Sequence, residues 1–170
     1  MSDLAHYQMF INGKWQDASD GECFPSINPA TEKPWCSVPE STEEDINMAV
    51  ETSHLAFSSG PWSRLTPTER GKYLRRLAEL LDEKSEHLGQ IETIDTGKML
   101  KETRWQAKYI AEFFHFYAGC ADKISGQTLP IDKPDMITLT LREPLGVIAA
   151  VVPWNSQLFL VAVKIGPALA

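Results

Sequence analysis

Hydrophobic residues recur with the spacing of an α-helix along much of the first 125 residues. In the segment STEEDINMAVETSHLAF, Ser41 and Glu44 stand at the spacing of a capping box. Five apolar or small residues of this segment fall on one helical face: Ile46, Ala49, Val50, Ser53 and Phe57. The pattern predicts an amphipathic helix.

A second helix is predicted from TPTERGKYLRRLAELLDEK, where Thr66 is the N-cap, Pro67 the first helical residue and Glu69 the acid of a capping box. Its apolar stripe supports about five turns and consists of Leu74, Leu77, Ala78 and Leu81. The following EHLGQIETIDTGK continues the helical pattern up to Gly97, which suits the left-handed conformation that ends many helices.

A further helix is predicted from Lys101 to about Ala121. Its apolar face consists of Ala107, Ile110, Ala111, Phe114 and Ala118. This periodicity favours packing over an aromatic binding site as the reason for the sequence FFHFY.

Strand patterns occur at both ends of the chain. MFINGKWQ surrounds an Asn12-Gly13 pair, which predicts a hairpin, and INPATEKPW predicts a turn that separates this hairpin from the helices. MITLTLRE alternates like a strand with one face in water. LGVIAAVVP is a continuous apolar run that predicts a strand buried on both faces, ended by Pro153.

Beyond this run, helical spacing resumes with Leu158, Val161, Ala162, Ile165 and Leu169. Strand, turn and helix together open a βαβ unit, but no second parallel strand follows. We therefore expect the chain to be the N-terminal part of a longer protein.

Composition narrows the possible functions. Hydrophobic residues make up 43% and charged residues 23%, as in globular proteins, and 16 basic against 23 acidic residues argue against a nucleic-acid partner. Without a secretory signal or an apolar run of about 18 residues, we expect a cytoplasmic protein with no membrane partner. Three cysteines without CxxC spacing predict reduced structural thiols, not disulfides or a zinc site.

Several motifs, in order, resemble the N-terminal third of the NAD(P)-dependent aldehyde dehydrogenase superfamily: FINGKW, INPATEK, TERGKYLRRLAELL, IETIDTGK, FYAGCADKISGQTLP, REPLGVIAAVVPWN and VKIGPALA. The resemblance implies an α/β fold with a Rossmann-like cofactor domain. It assigns residues 1–125 to the N-terminal hairpin and helices of that domain, 126–145 to a β arm used in oligomerisation, and 146–170 to a truncated first βα unit. A homodimer or homotetramer is implied. After PWN the family often has an aromatic and a proline, where this chain has Ser156 and Gln157.

The implied activity is oxidation of a small-molecule aldehyde to a carboxylic acid with NAD, or alternatively NADP, through a covalent adduct on a downstream cysteine. Asn155 matches the family residue that donates a hydrogen bond to the reacting oxygen, although an Asn here could equally cap the following helix. Together with Asn155, three residues match the nicotinamide-ribose side of the cofactor site, with core packing as their alternative: Val152, Pro153 and Trp154.

Two further matches are implied. Lys164 matches a lysine with a supporting, charge-relay role, whereas a helix lysine reaching into solvent is the plainer alternative. Ser26, Ile27 and Asp95 match positions that bind a structural monovalent cation, the first two through backbone carbonyls, and Asp95 could instead be an ordinary surface or capping carboxylate.

The family's nucleophilic cysteine and general-base glutamate have no match in these 170 residues. We therefore expect the chain alone to be inactive. The alternative hypothesis is a non-catalytic fragment that adds the strand MITLTLRE to a sheet edge of other subunits.

Overall fold

A computed structural model describes residues 4–170. Its strands are β1 (Ala5–His6), β2 (Met9–Ile11), β3 (Lys14–Gln16), β4 (Cys23–Asn28), β5 (Lys33–Pro39), β6 (Thr128–Leu129) and β7 (Thr138–Leu139). Its α-helices are α1 (Glu43–Ser58), α2 (Pro67–Thr96), α3 (Leu100–Cys120) and α4 (Gln157–Leu169).

The core lies where α2, α3 and α4 pack together, and it confirms the stripes predicted for α2 and α3. Its buried members are Leu74, Ala78, Ile110, Ala111, Phe114, Ala118, Ala121, Ala162 and Ala170. Gly89 allows α2 and α3 to approach closely, because a Cβ at this position would lie 2.9 Å from the Arg104 Cα. Small residues along α3 extend this close contact.

Both ends of α2 form as predicted. Thr66 accepts a hydrogen bond from the Glu69 backbone N–H at 3.3 Å, and the Glu69 carboxylate accepts one from the Thr66 N–H at 2.8 Å. The Thr66 N–H, followed by the Thr66 hydroxyl, donates to the Glu69 carboxylate and holds the pKa of Glu69 below its usual value. At the other end Gly97 adopts φ +75°, the left-handed conformation. The helical pattern therefore forms one helix of 30 residues.

Replacing Thr66 by alanine should lower the free energy of unfolding by about 1 kcal/mol, because it leaves the Glu69 N–H without its capping acceptor. Thr68→Ala is the matched control, since Thr68 is exposed in the same helical turn and caps nothing. Urea denaturation measures both changes. Equal losses of unfolding free energy in the two variants would show that the cost comes from replacing a threonine in this helical turn and not from removing the cap.

The start of α1 differs from the prediction by one residue. The N-cap is Thr42 and the capping acid is buried Asp45, instead of Ser41 and Glu44. Asp45 is the capping acid in place of Glu44 because its carboxylate also accepts a hydrogen bond from the Ser19 backbone N–H at 3.2 Å. The Thr42 N–H, followed by that of Ser19, lowers the pKa of Asp45. Much of the predicted apolar face of α1, including Ile46 and Val50, is exposed.

The N-terminal strands form a hairpin and a separate sheet. The β2–β3 hairpin is confirmed, and its turn has Asn12 at φ +52° and Gly13 at φ +74°. The turn prediction for INPATEKPW holds only for residues 29–32, because β4 and β5 flank it as antiparallel partners in a sheet of order β1-β5-β4. The strands β4 and β5 were not predicted because both contain proline, which normally argues against a strand.

The second half of the chain departs most from the predicted strands. In MITLTLRE only Thr138–Leu139 is strand, paired antiparallel with Thr128–Leu129. The run LGVIAAVVP forms no strand, and Leu145 is 94% exposed. A buried parallel strand needs a neighbouring ladder, and no segment within residues 4–170 supplies one. The helix predicted after this run is confirmed as α4.

Among the helices of residues 4–170, none combines the length and apolar character that a bilayer crossing requires.

Candidate functional site

Asn155 lies in a short 3-10 turn, Trp154–Ser156, between the exposed apolar run and α4. The residue at the N-cap of α4 is Ser156, and no side chain caps this helix end. Asn155 therefore does not serve as the helix cap that its position suggested. Trp154 and Asn155 are exposed, whereas Ser156 is buried. The turn thus exposes Asn155 at the surface, while the next residue, Ser156, is held in the protein interior.

The anchor of Ser156 is a buried polar cluster at the end of α2. Lys98 Nζ donates hydrogen bonds to Ser156 Oγ at 3.2 Å, to Glu92 Oε1 at 3.3 Å and to the Gln106 side-chain oxygen. Ser156 Oγ in turn donates to Gln106 Oε1 at 3.2 Å. The side chains of Lys98 and Glu92 are only 16% and 2% exposed, so this ion pair is largely shielded from water.

A second hydrogen-bonded group surrounds Asp95. Gln157 Nε2 donates to Asp95 Oδ2 at 2.7 Å, and Ser26 Oγ donates to Asp95 Oδ1 at 2.5 Å. Trp35 Nε1 approaches both Ser26 Oγ, at 3.1 Å, and Asp95 Oδ1, at 3.3 Å. The structure therefore brings together two of the residues predicted for a cation, Ser26 and Asp95, next to Ile27 on β4.

Asp95 is the one side-chain ligand predicted for the monovalent cation, and each of its two oxygens accepts a hydrogen bond in the structure. Within the described part of the chain, no three His, Cys, Asp or Glu side chains are grouped as metal ligands. The cation site stays a prediction.

A cavity of about 470 Å³ lies between the β1-β5-β4 sheet, α2 and the Trp154 turn. Its walls are mostly apolar and aromatic, and include Tyr7, Phe24, Trp35, Trp154, Leu88 and Leu158. Two acidic residues of α2, Glu92 and Asp95, also line the cavity. Of the predicted cofactor contacts, Val152 is half-buried, and Pro153 and Trp154 present exposed faces. An apolar surface with a few polar groups suits a planar organic ring.

Lys164 is not brought to this site. It is exposed on α4, and the helical rise places it about 10 Å along the axis from Gln157. Its place agrees with the alternative of a lysine that extends into solvent.

All three cysteines are free thiols. Cys36 is buried beside the cavity, and burial, followed by the charge of Asp95, raises the pKa of its thiol. A raised pKa keeps the thiol protonated, which disfavours Cys36 as a nucleophile. Cys23 is exposed on β4, and Cys120 ends α3.

Sequence reasoning missed the polar cluster beneath the turn. It noted Ser156 and Gln157 only as departures from a family pattern, although both are bonded to the end of α2. A usable signal was present in IETIDTGK, where Glu92, Asp95 and Lys98 recur every three residues. Ionisable residues at this spacing lie near one another at a helix end.

Comparison with known proteins now identifies the family. The model of the aldehyde dehydrogenase family matches residues 15–170. The chain belongs to the aldehyde dehydrogenase family. It is 50% identical over 167 residues to the (Z)-2-((N-methylformamido)methylene)-5-hydroxybutyrolactone dehydrogenase of Acinetobacter baylyi, covering 98% of this chain and 34% of that relative.

Solved aldehyde dehydrogenases share its backbone. An NAD-dependent aldehyde dehydrogenase from Sinorhizobium meliloti superposes with a TM-score of 0.93 at 30% identity, over 98% of this chain and 33% of that one. A betaine aldehyde dehydrogenase from Staphylococcus aureus in complex with NAD+ gives a TM-score of 0.90 at 36% identity, over 95% and 32%. The chain thus has the α/β fold of the N-terminal portion of aldehyde dehydrogenases and spans about a third of the length of these relatives.

Proposed function

We propose that this aldehyde dehydrogenase segment serves the oxidation of an aldehyde to a carboxylic acid with NAD, and that Asn155 stabilises the oxyanion formed on the way. The observation that supports this role is that Asn155 is exposed and takes no part in capping α4. Its amide lies exposed at the head of α4 and does not cap the helix, while the residues after it are anchored. An amide so held can donate to a ligand oxygen.

The proposed chemistry begins when a cysteine thiolate from outside these 170 residues attacks the aldehyde carbonyl and forms a thiohemiacetal. Negative charge then collects on the former carbonyl oxygen. A fixed N–H donor from Asn155 would stabilise that charge by roughly 3 to 4 kcal/mol, as other oxyanion-hole donors do. Loss of a hydride from the adduct, which NAD would accept, gives a thioester, and attack of water on the thioester releases the acid and returns the cysteine thiolate.

NAD, when bound, supplies the hydride acceptor. The residues of this chain that would contact it are Val152, Pro153 and Trp154, and of these Trp154 lines the apolar cavity beside the turn. We choose NAD over NADP because the similar betaine aldehyde dehydrogenase from Staphylococcus aureus was solved in complex with NAD+. The supporting, charge-relay role of Lys164 stays a prediction, and the residue is exposed on α4.

The same proposal covers the organisation of the chain. Residues 1–125 and 146–170 would belong to the cofactor-binding domain, and the β6–β7 pair within 126–145 would form the arm of a homodimer or homotetramer. The alternative function is a non-catalytic fragment that pairs with other subunits. It is favoured by the exposed, unpaired residues of MITLTLRE and LGVIAAVVP.

Because the chain spans about a third of the length of its relatives, activity is best measured with two preparations. The first is the chain alone, which should form no NADH on addition of aldehyde and NAD. The second is residues 1–170 joined to the remaining two thirds of the Acinetobacter relative, which should form NADH steadily. Turnover by the chain alone, or a folded but inactive joined enzyme, would contradict the proposal.

A further inference from the structure

The two residues that follow Asn155 each form a hydrogen bond with the end of α2 or the residues just beyond it. Ser156 Oγ accepts from Lys98 Nζ at 3.2 Å, and Gln157 Nε2 donates to Asp95 Oδ2 at 2.7 Å. Two attachment points on adjacent residues restrict both the position and the rotation of the first turn of α4.

The donor of the first attachment is itself firmly held. A lysine ammonium has three N–H donors, and those of Lys98 meet Glu92, Gln106 and Ser156. Glu92 Oε2 is buried without a hydrogen-bond partner among residues 4–170, which leaves Lys98 as the group that neutralises this carboxylate. Moving Lys98 would separate a shielded ion pair, and such separation is costly. Ser156 is therefore bonded to a fixed group.

The second attachment is held in the same way. Asp95 Oδ1 accepts from Ser26 Oγ on β4 and lies near Trp35 Nε1 on β5, so the sheet fixes the carboxylate that Gln157 contacts. The cluster thus connects the Asn155 turn to the sheet and to α2. Aldehyde dehydrogenases often place an aromatic and a proline where this chain has Ser156 and Gln157.

We infer that Lys98 and Asp95, acting through Ser156 and Gln157, are positioning residues that fix the direction of the Asn155 amide. A proline after Asn155 would restrict the backbone of this turn, and in this chain the hydrogen bonds of Ser156 and Gln157 restrict it instead. This role rests on the proposed function of Asn155, because a positioned donor matters only if an oxyanion forms at it.

The test uses the double variant Ser156→Ala/Gln157→Leu, which removes both attachments but leaves the Lys98–Glu92 pair intact. The matched control is Ser85→Ala/Gln90→Leu, which makes the same chemical changes on α2 at side chains that bond only within that helix. The chain of 170 residues is used for amide hydrogen exchange, and the joined enzyme is used for kinetics. Lys98→Met is a third variant that breaks the cluster from the other side.

In the double variant, exchange at Leu160 and Val161, the first hydrogen-bonded amides of α4, should rise about tenfold. In the joined enzyme kcat should fall by about 10- to 100-fold, the range expected when a catalytic group is misplaced. The KM for NAD and for aldehyde should change less than about twofold, which a general loss of folding would not produce. Lys98→Met should act in the same direction, and the control should match the parent.

A double variant that matches the control in exchange or in kcat would overturn the positioning role. Asn155→Ala separates this failure from failure of the proposed function. If Asn155→Ala impairs the joined enzyme while the double variant does not, only the positioning role is wrong. If Asn155→Ala has no effect on kcat, the oxyanion role and the positioning role are both wrong.

Discussion

In the joined enzyme, Asn155→Ala should lower kcat by about 100- to 1000-fold while leaving the affinity for NAD nearly unchanged. The physical reason is that the amide would bond the oxygen mainly after it becomes charged, so its loss raises the barrier more than it weakens ground-state binding. Stopped-flow absorbance of NADH and a fluorescence titration with NAD measure the two quantities separately.

Asn47→Ala is a suitable control for this substitution, because Asn47 is exposed on α1 and far along the chain from the turn. It should alter neither kcat nor NAD affinity. An equal loss of kcat and of NAD affinity in Asn155→Ala would instead mean that the residue supports the architecture of the cofactor site. An unchanged kcat would remove Asn155 from the chemistry.

The helices could be predicted from sequence because their signals are local. The Thr66–Glu69 box, the stripe from Leu74 and the left-handed Gly97 all depend on residues within a few positions of one another. The start of α1 shows where such reasoning ends. Asp45 replaced Glu44 as the capping acid because Ser19, 26 residues away, adds a hydrogen bond that no local pattern reveals.

The strands were harder to predict because a strand depends on its partner. β4 and β5 pair despite their prolines, whereas the strongly β-prone LGVIAAVV stays unpaired because no strand in residues 4–170 forms a ladder with it. The site shows the same division. Asn155 was found from a motif, but the bonds of Ser156 to Lys98 and of Gln157 to Asp95 join residues about 60 positions apart. Only the packed helices bring them together.

Phe114→Ala should destabilise the chain by about 3 to 5 kcal/mol, which is close to the limit for a single core substitution. Phe114 is 3% exposed and belongs to the hydrophobic core, on the face of α3 that packs against α2 and α4. The α2–α3 interface has little room to collapse around the void left by the ring, because the two backbones already approach closely at Gly71, where a Cβ would lie 2.7 Å from the Ala118 carbonyl oxygen. Thermal and urea unfolding of the chain measure the loss.

Phe116→Ala provides the matched control two residues further along the same helix. Phe116 is 65% exposed, so the same truncation removes little buried area and should cost less than about 1 kcal/mol. The contrast isolates burial from helix propensity, since both substitutions place alanine in α3. Similar losses at the two positions would mean that α3 presents a different face to α2. The support of the Asn155 turn would then need another origin, because Gln106 contributes to it from the same helix.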